Sequence, residues 1–196
     1  MKKLVGLTGK TGAGKSTISA YLAEKGAYII DGDIVARNVL VTEPSLIPEL
    51  KNAFGEILNP DGTIDRKKLA ATAFSSEENT RTLNSIMHPA INKAIHREAD
   101  VAFETHNVVV VDAAAIIESG FADECDLLLV ATAPVEIRKE RILKRDSISE
   151  ADADIRINAQ KDDEFYNSRA DYVIKNYAPF VLSEELSVIE KELFDF

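Results

Sequence analysis

Apolar residues along the chain fall into two patterns that alternate. The first is a set of short unbroken runs: Leu4-Val5-Gly6-Leu7-Thr8, Ala27 to Ile30, Val108-Val109-Val110-Val111 ending in Asp112, Asp126 to Ala131 around Leu127-Leu128-Leu129-Val130, and Asp171-Tyr172-Val173-Ile174. Runs this short, β-branched or bounded by glycine, predict strands buried on both faces. The second pattern has helical spacing. Ile18, Tyr21 and Leu22 share one face of residues 15–25, and Gly26 stands where a glycine closes a helix. Residues 134–145 and 149–169 also read as helices, the latter opened by Ser149-Glu150-Ala151-Asp152, a capping box with aspartate at its last position. A closing amphipathic helix is expected over 183–194 with Ser183 as its cap.

Between residues 34 and 105 the pattern changes. The stretch is mostly helical, broken by Pro44, Pro48 and the turn Asn59-Pro60-Asp61-Gly62. Ser76 before Glu77-Glu78 marks a helix start, with acids in the first turn. His88-Pro89 is expected to restart a helix, because proline is tolerated in the first helical position. The segment is too long for a simple crossover and reads as a helical insertion. Strands alternating with helices imply an α/β fold, a three-layer doubly wound parallel five-stranded sheet, with ligands at the carboxyl ends of the strands. The expected organisation is a core from 1–33, 106–134 and 170–196, an insertion from 34–105, and a helical lid from 135–169.

Composition narrows the function classes. The 196 residues are 45% hydrophobic, enough for one main core with a small subdomain. Acids outnumber bases 33 to 23, for a net charge of −10, so a broad basic surface for nucleic acid is excluded while a local anion site is not. The single cysteine, Cys125, cannot form an internal disulfide, and it reads as a small buried hydrophobe. The apolar run after Met1-Lys2-Lys3 stops at Gly9-Lys10, too short for a signal peptide, and no stretch approaches the ~20 apolar residues of a membrane span. A cytoplasmic protein with no membrane partner is expected, with a monomer favoured.

The chemistry begins at Gly9-Lys10-Thr11-Gly12-Ala13-Gly14-Lys15-Ser16, which fits G-x-x-x-x-G-K-[ST] at every fixed position, with Thr17 following. Glycines let backbone N–H groups turn inward around phosphate oxygens, and the helix begun by Lys15 aims its positive end at them. Lys15 reaches the β- and γ-phosphates and the Ser16 hydroxyl ligates Mg²⁺. Average residue usage yields such a match by chance in about one per cent of chains this long. A strand before and a helix after supply the confirming context. Gly9, Gly12, Ala13, Gly14, Lys15, Ser16 and Thr17 are therefore the expected ATP-binding residues of a P-loop fold.

A P-loop gives nucleotide binding, not a reaction. A GTPase needs N-K-x-D after a strand, and the one Asn-Lys pair is followed by Ala94-Ile95 inside a helix. Asp112 precedes three alanines, so no D-x-x-G switch follows the third strand. A small-molecule kinase needs an acid beside the acceptor hydroxyl. Asp31 and Asp33, at the end of the second strand, are placed to orient that hydroxyl, to take its proton, or to help hold Mg²⁺ through water. Capping of the next helix would account for one of these aspartates but not both. Arg138, Arg141 and Arg145 form a basic stripe at helical spacing. It suits a lid closing over phosphates, or equally a solvated face paired with Glu136 and Glu140.

Together these pieces resemble the dephospho-CoA kinase family from about residue 4 to residue 176. The matching parts are the loop through Thr17, Ile30-Asp31-Gly32-Asp33 with Arg37, Phe54-Gly55, and Asp61-Gly62 leading to Asp65-Arg66 and Leu69. Leu83 with His88-Pro89, Glu118-Ser119-Gly120, Arg141 with Arg145-Asp146, Gln160, and Ala170 to Asn176 complete the set. The resemblance implies phosphorylation of the ribose 3′-hydroxyl of dephospho-CoA by ATP, the last step of coenzyme A synthesis. It implies Asp33 as catalytic base with Asp31 assisting, and Lys15 and Arg141 in catalysis. It further implies Arg141 and Arg145 on the nucleotide, Arg37, Arg66, His88 and Glu118 with Asp33 on the acceptor side, and Ser16 with Asp33 at the metal. The chain departs from the usual family sequence at Lys10-Thr11 in the loop, at Ala114-Ala115-Ile116-Ile117, at Arg138 where glutamine is usual, and in the acidic stretch Lys161-Asp162-Asp163-Glu164. Two rival readings are a kinase of the same architecture for another nucleoside or nucleotide, and an ATP-binding regulatory protein without turnover.

Overall fold

The computed structural model describes residues 2–194. In chain order the elements are β1 (Lys3–Gly9), α1 (Lys15–Glu24), β2 (Tyr28–Asp31), α2 (Gly32–Thr42), α3 (Leu46–Phe54), α4 (Arg66–Ala73) and α5 (Glu77–Ala102). There follow β3 (Val108–Asp112), a 3₁₀ turn (Phe121–Glu124), β4 (Leu127–Thr132), α6 (Val135–Asp146), α7 (Glu150–Asn158), α8 (Asp163–Asn167), β5 (Tyr172–Lys175) and α9 (Leu182–Phe194). The five strands form one sheet in the order β2-β3-β1-β4-β5, every pair parallel. The expected five-stranded parallel α/β sheet is what the chain builds. Connections from β1 and β3 leave in opposite directions, the one toward β2 and the other toward β4, which places a crevice at their carboxyl ends.

The chain divides into two compact units, residues 1–31 with 98–196, and residues 32–97. In the first, Val5, Leu7, Val110 and Leu129 on one sheet face are buried against Ile18 and Leu22 of α1 and Leu186, Ile189 and Leu193 of α9. The alternate positions Val109, Val111, Leu128 and Val130 are buried as well, as a strand covered on both faces requires. Gly26 takes a φ of 102° just past α1, the closing role its position suggested. Cys125 is half-buried, and burial beside Asp126 and Glu124 pushes its thiol up to about 12, so it stays neutral. The second unit has its own apolar cluster of Leu50, Phe54, Ile57, Leu69, Ala73 and Ile86.

Three local expectations need correction. His88-Pro89 starts nothing: α5 runs unbroken for 26 residues with Pro89 inside it. Burial of Ile86, Ile95, Ala99 and Ala102 along the helix outweighs the ~3 kcal/mol that an interior proline costs. The helix expected over 149–169 is two helices. Ser149 does cap α7 as expected, accepting the Asp152 N–H at 3.1 Å, but Asp162 caps a second start by accepting the Phe165 N–H at 2.8 Å. Finally, α9 opens at Leu182, so Ser183 lies within its first turn and is not its cap.

Candidate active site

The phosphate loop is shaped by its backbone. Gly9, Gly12 and Gly14 have φ of 148°, 79° and 93°, values that side chains with a Cβ rarely tolerate. Space is as restrictive as torsion: a Cβ on Gly12 would lie 2.6 Å from the Arg138 carbonyl oxygen, and one on Gly14 would lie 2.1 Å from Asn176 Nδ2. The following helix α1 has no side-chain cap at Gly14 and no acid in its first turn. Its positive end is thus left for an external anion.

The outer side of the loop is held by donors from distant parts of the chain. Arg138 Nε donates to the Thr11 carbonyl at 3.1 Å. Arg141 Nη1 donates to the carbonyls of Gly12 (3.1 Å) and Ala13 (3.3 Å), while its Nη2 donates to the Asn176 carbonyl at 2.6 Å. Asn176 Nδ2 donates to the Gly14 carbonyl at 3.1 Å. The bonds to residues 11–14 engage the loop carbonyls, which leaves the amides between them to face a phosphate. Gln160 accepts the Thr11 N–H at 2.9 Å. The basic stripe on α6 is therefore divided. Arg138 is only 2% exposed, and Arg141 is tied to the loop, so neither belongs to a solvated face. Arg145 lies outside this cluster, paired with Asp146 at 2.7 Å, and Asp146 is shared with Arg156 at 2.6 Å. Those hydrogen bonds, Arg145 first, hold the Asp146 carboxyl below its ordinary range.

At the sheet's carboxyl edge, Lys15 Nζ stands 3.7 Å from Asp112 Oδ1, and the Ser19 hydroxyl donates to Asp112 Oδ2 at 2.6 Å. Asp31 pairs in register with Asp112 across β2 and β3. Two carboxylates thus end neighbouring strands, that of Asp112 beside the loop lysine. Asp112 was not among the residues expected at the site. Its signal was available, an apolar strand ending in aspartate, but its place depends on β3 lying next to β1. Ser16, Asp31 and Asp112 present the hard oxygen donors that Mg²⁺ prefers, and Mg²⁺ commonly takes few protein ligands and keeps several waters. Among the described residues no three His, Cys, Asp or Glu side chains cluster as a ready-made metal cage.

The match to known sequences decides the family. Residues 3–180 fit the sequence pattern of dephospho-CoA kinase. The chain belongs to the dephospho-CoA kinase family. The dephospho-CoA kinase of Corynebacterium jeikeium (strain K411) is 42% identical over 173 residues, which cover 88% of this chain and 89% of that one. The crystal structure of TT1252 from Thermus thermophilus superposes with a TM-score of 0.79 at 27% identity, covering 99% of this chain and 97% of that one. A dephospho-CoA kinase from Campylobacter jejuni shares the fold, with a TM-score of 0.69 at 24% identity over 98% of both chains.

The residues that the dephospho-CoA kinase resemblance assigns to the acceptor are held differently. Asp33 lies in the first turn of α2, and Arg37 Nε donates to its carbonyl oxygen at 3.3 Å. Arg66 opens α4 after Asp65, whose carboxylate caps the helix by accepting the Lys67 and Lys68 N–H groups, and Arg66 Nη2 donates to the Arg37 carbonyl at 2.7 Å. Arg37, Arg66 and the backbone of Asp33 are thus brought into one chain of bonds. His88 is half-buried within α5, and burial lowers its pKa. Glu118 is exposed in the turns after β3, and its charge adds to burial in raising the Tyr166 phenol.

Proposed function

We infer that this chain transfers the γ-phosphate of ATP to the ribose 3′-hydroxyl of dephospho-CoA, completing coenzyme A. The observation that carries the reading is the phosphate loop, its carbonyls engaged by Arg138, Arg141 and Asn176, in a chain of this family. The amides of Gly12 to Ser16 bind the polyphosphate, and Lys15 neutralises charge on the transferred group. Asp33 accepts the hydroxyl proton as the acceptor oxygen bonds to the γ-phosphorus, and the bond from that phosphorus to the β-phosphate oxygen breaks to release ADP. Asp31 assists in orienting the hydroxyl. Mg²⁺, when bound, would offset phosphate charge, held by Ser16 and the strand-end carboxylates Asp31 and Asp112, with Asp33 engaging it through water. Residues 34–105 bind the acceptor through Arg37, Arg66 and His88, and Glu118 is a further acceptor-binding residue. Residues 135–169 act as a lid, from which Arg141 and Arg145 serve the nucleotide. No helix of the described residues is long and apolar enough to cross a membrane.

The test offers dephospho-CoA, nucleosides and nucleoside monophosphates, each with ATP and Mg²⁺, to the wild type and to Asp33→Asn. Dephospho-CoA is expected to react fastest, with phosphorus NMR placing the new phosphate on the 3′-oxygen. Asp33→Asn should lose ~10²–10⁴-fold in kcat while binding ATP as before. Preference for another acceptor overturns the substrate, and unimpaired turnover in the variant overturns the base.

A further inference from the structure

Three places where this chain departs from the usual family sequence meet at one point. Lys10 is the second residue of the phosphate loop, Asp163 opens α8, and Arg138 lies on α6. Lys10 Nζ is 2.5 Å from Asp163 Oδ1, with the lysine side chain only 15% exposed and the aspartate 69% exposed. Arg138 is buried beneath the loop. One of its terminal nitrogens, Nη2, has no hydrogen-bond partner among the described residues, and the charge of Asp163 acts on the guanidinium favourably. These three side chains, with Tyr166 and Asn167 of α8 and the end of β4, line one small pocket.

We propose that Asp163 is a positioning residue for the nucleotide: paired with Lys10 in the pocket that Arg138 also lines, it clamps α8, with Gln160 before it, against the outer arc of the phosphate loop. Two cations lining one small pocket repel each other, and burial of Arg138 removes water that would screen them. The carboxylate of Asp163 offsets both. With Lys10 held, the Thr11 amide meets Gln160 and the Thr11 carbonyl meets Arg138, so the backbone of one loop residue is fixed from both sides. Two acids of the stretch after Gln160 take part in the same geometry. Asp162 caps α8, and the charge of Asp163 is offset by its pairing with Lys10.

The proposal rests on the phosphate loop binding ATP and not on the identity of the acceptor. Asp163→Lys is the informative variant, because the two possible roles predict opposite signs. If the carboxylate merely repelled the polyphosphate, a lysine there would tighten ATP binding. If it clamps the loop, three cations collide, and binding of ATP by calorimetry should weaken about fivefold, the upper range for a partly exposed pair. KM for ATP should rise with it, while kcat changes by less than about twofold. Exchange of the Thr11 amide with solvent should quicken in the nucleotide-free protein, at unchanged melting temperature. The swapped pair Lys10→Asp with Asp163→Lys restores the opposite charges and should recover most of the loss, giving a non-additive cycle. Added salt should shrink the difference between Asp163→Asn and wild type. Tighter ATP binding in Asp163→Lys, or a swap no better than the sum of its singles, overturns the proposal. Calorimetry with ATP reads these outcomes even if dephospho-CoA proves to be the wrong acceptor.

Discussion

The phosphate loop and the second-unit residues proposed for the acceptor both carry arginines on backbone carbonyls, yet the two are held very differently. Around the loop, Arg138 is buried and Arg141 spans three carbonyls, one of them beyond β5. In the second unit, the bonds from Arg37 to the Asp33 carbonyl and from Arg66 to the Arg37 carbonyl are both solvent-exposed. Exposed bonds of this kind exchange with water at little net cost, whereas buried ones are costly to break. The nucleotide side is therefore a preformed mould. The acceptor side, as proposed, is a set of charged side chains that a ligand's own anionic groups can recruit.

The contrast is open to direct attack. The largest effect is expected at Gly12→Ala, where a new methyl meets the Arg138 backbone at 2.6 Å in a left-handed conformation. About 1–3 kcal/mol of strain, roughly 5- to 150-fold in affinity for ATP, should appear in calorimetry. A loop that bound ATP undiminished would not be the mould described. Arg66→Ala should be milder and opposite in selectivity. KM for the acceptor rises about tenfold, as for loss of one charge-assisted hydrogen bond, with KM for ATP unmoved. An equal rise in both constants would mean that the two regions are not separable. The smallest effect belongs to His88. Burial lowers its pKa in the fold, so the unfolded chain binds the proton more readily. Stability should therefore fall as the pH drops below about 6.5, where the unfolded imidazole begins to charge. Melting curves from pH 8 to 5 should decline less steeply for His88→Asn, and parallel curves would show that His88 contributes nothing.

What could be read from the sequence follows the distance over which each signal acts. Residues 9–16 are contiguous, so torsion and motif sufficed to place the phosphate loop, and the five apolar runs gave the strands directly. Asp112 was missed because its value depends on sheet order, with β3 between β2 and β1. The division of the arginine stripe was equally hidden. Spacing puts Arg138, Arg141 and Arg145 on one side of a helix, but only the packed structure shows that two touch the loop and the third pairs with Asp146. Pro89 and the break after Ala159 are failures of another kind. In the first, burial along α5 overrode a local preference, and in the second a capping aspartate inside an acidic run went unnoticed.

Arg141 joins the backbone of residues 12 and 13 to that of residue 176, and Asn176 returns the contact. A ribosome making this protein releases the motif first and its supports last. β1 has no neighbouring strand until residue 108 is available, and the arc at residues 12–14 cannot set until residue 176 has emerged. The growing polypeptide thus completes the bracing of its nucleotide grip only near the end of its synthesis.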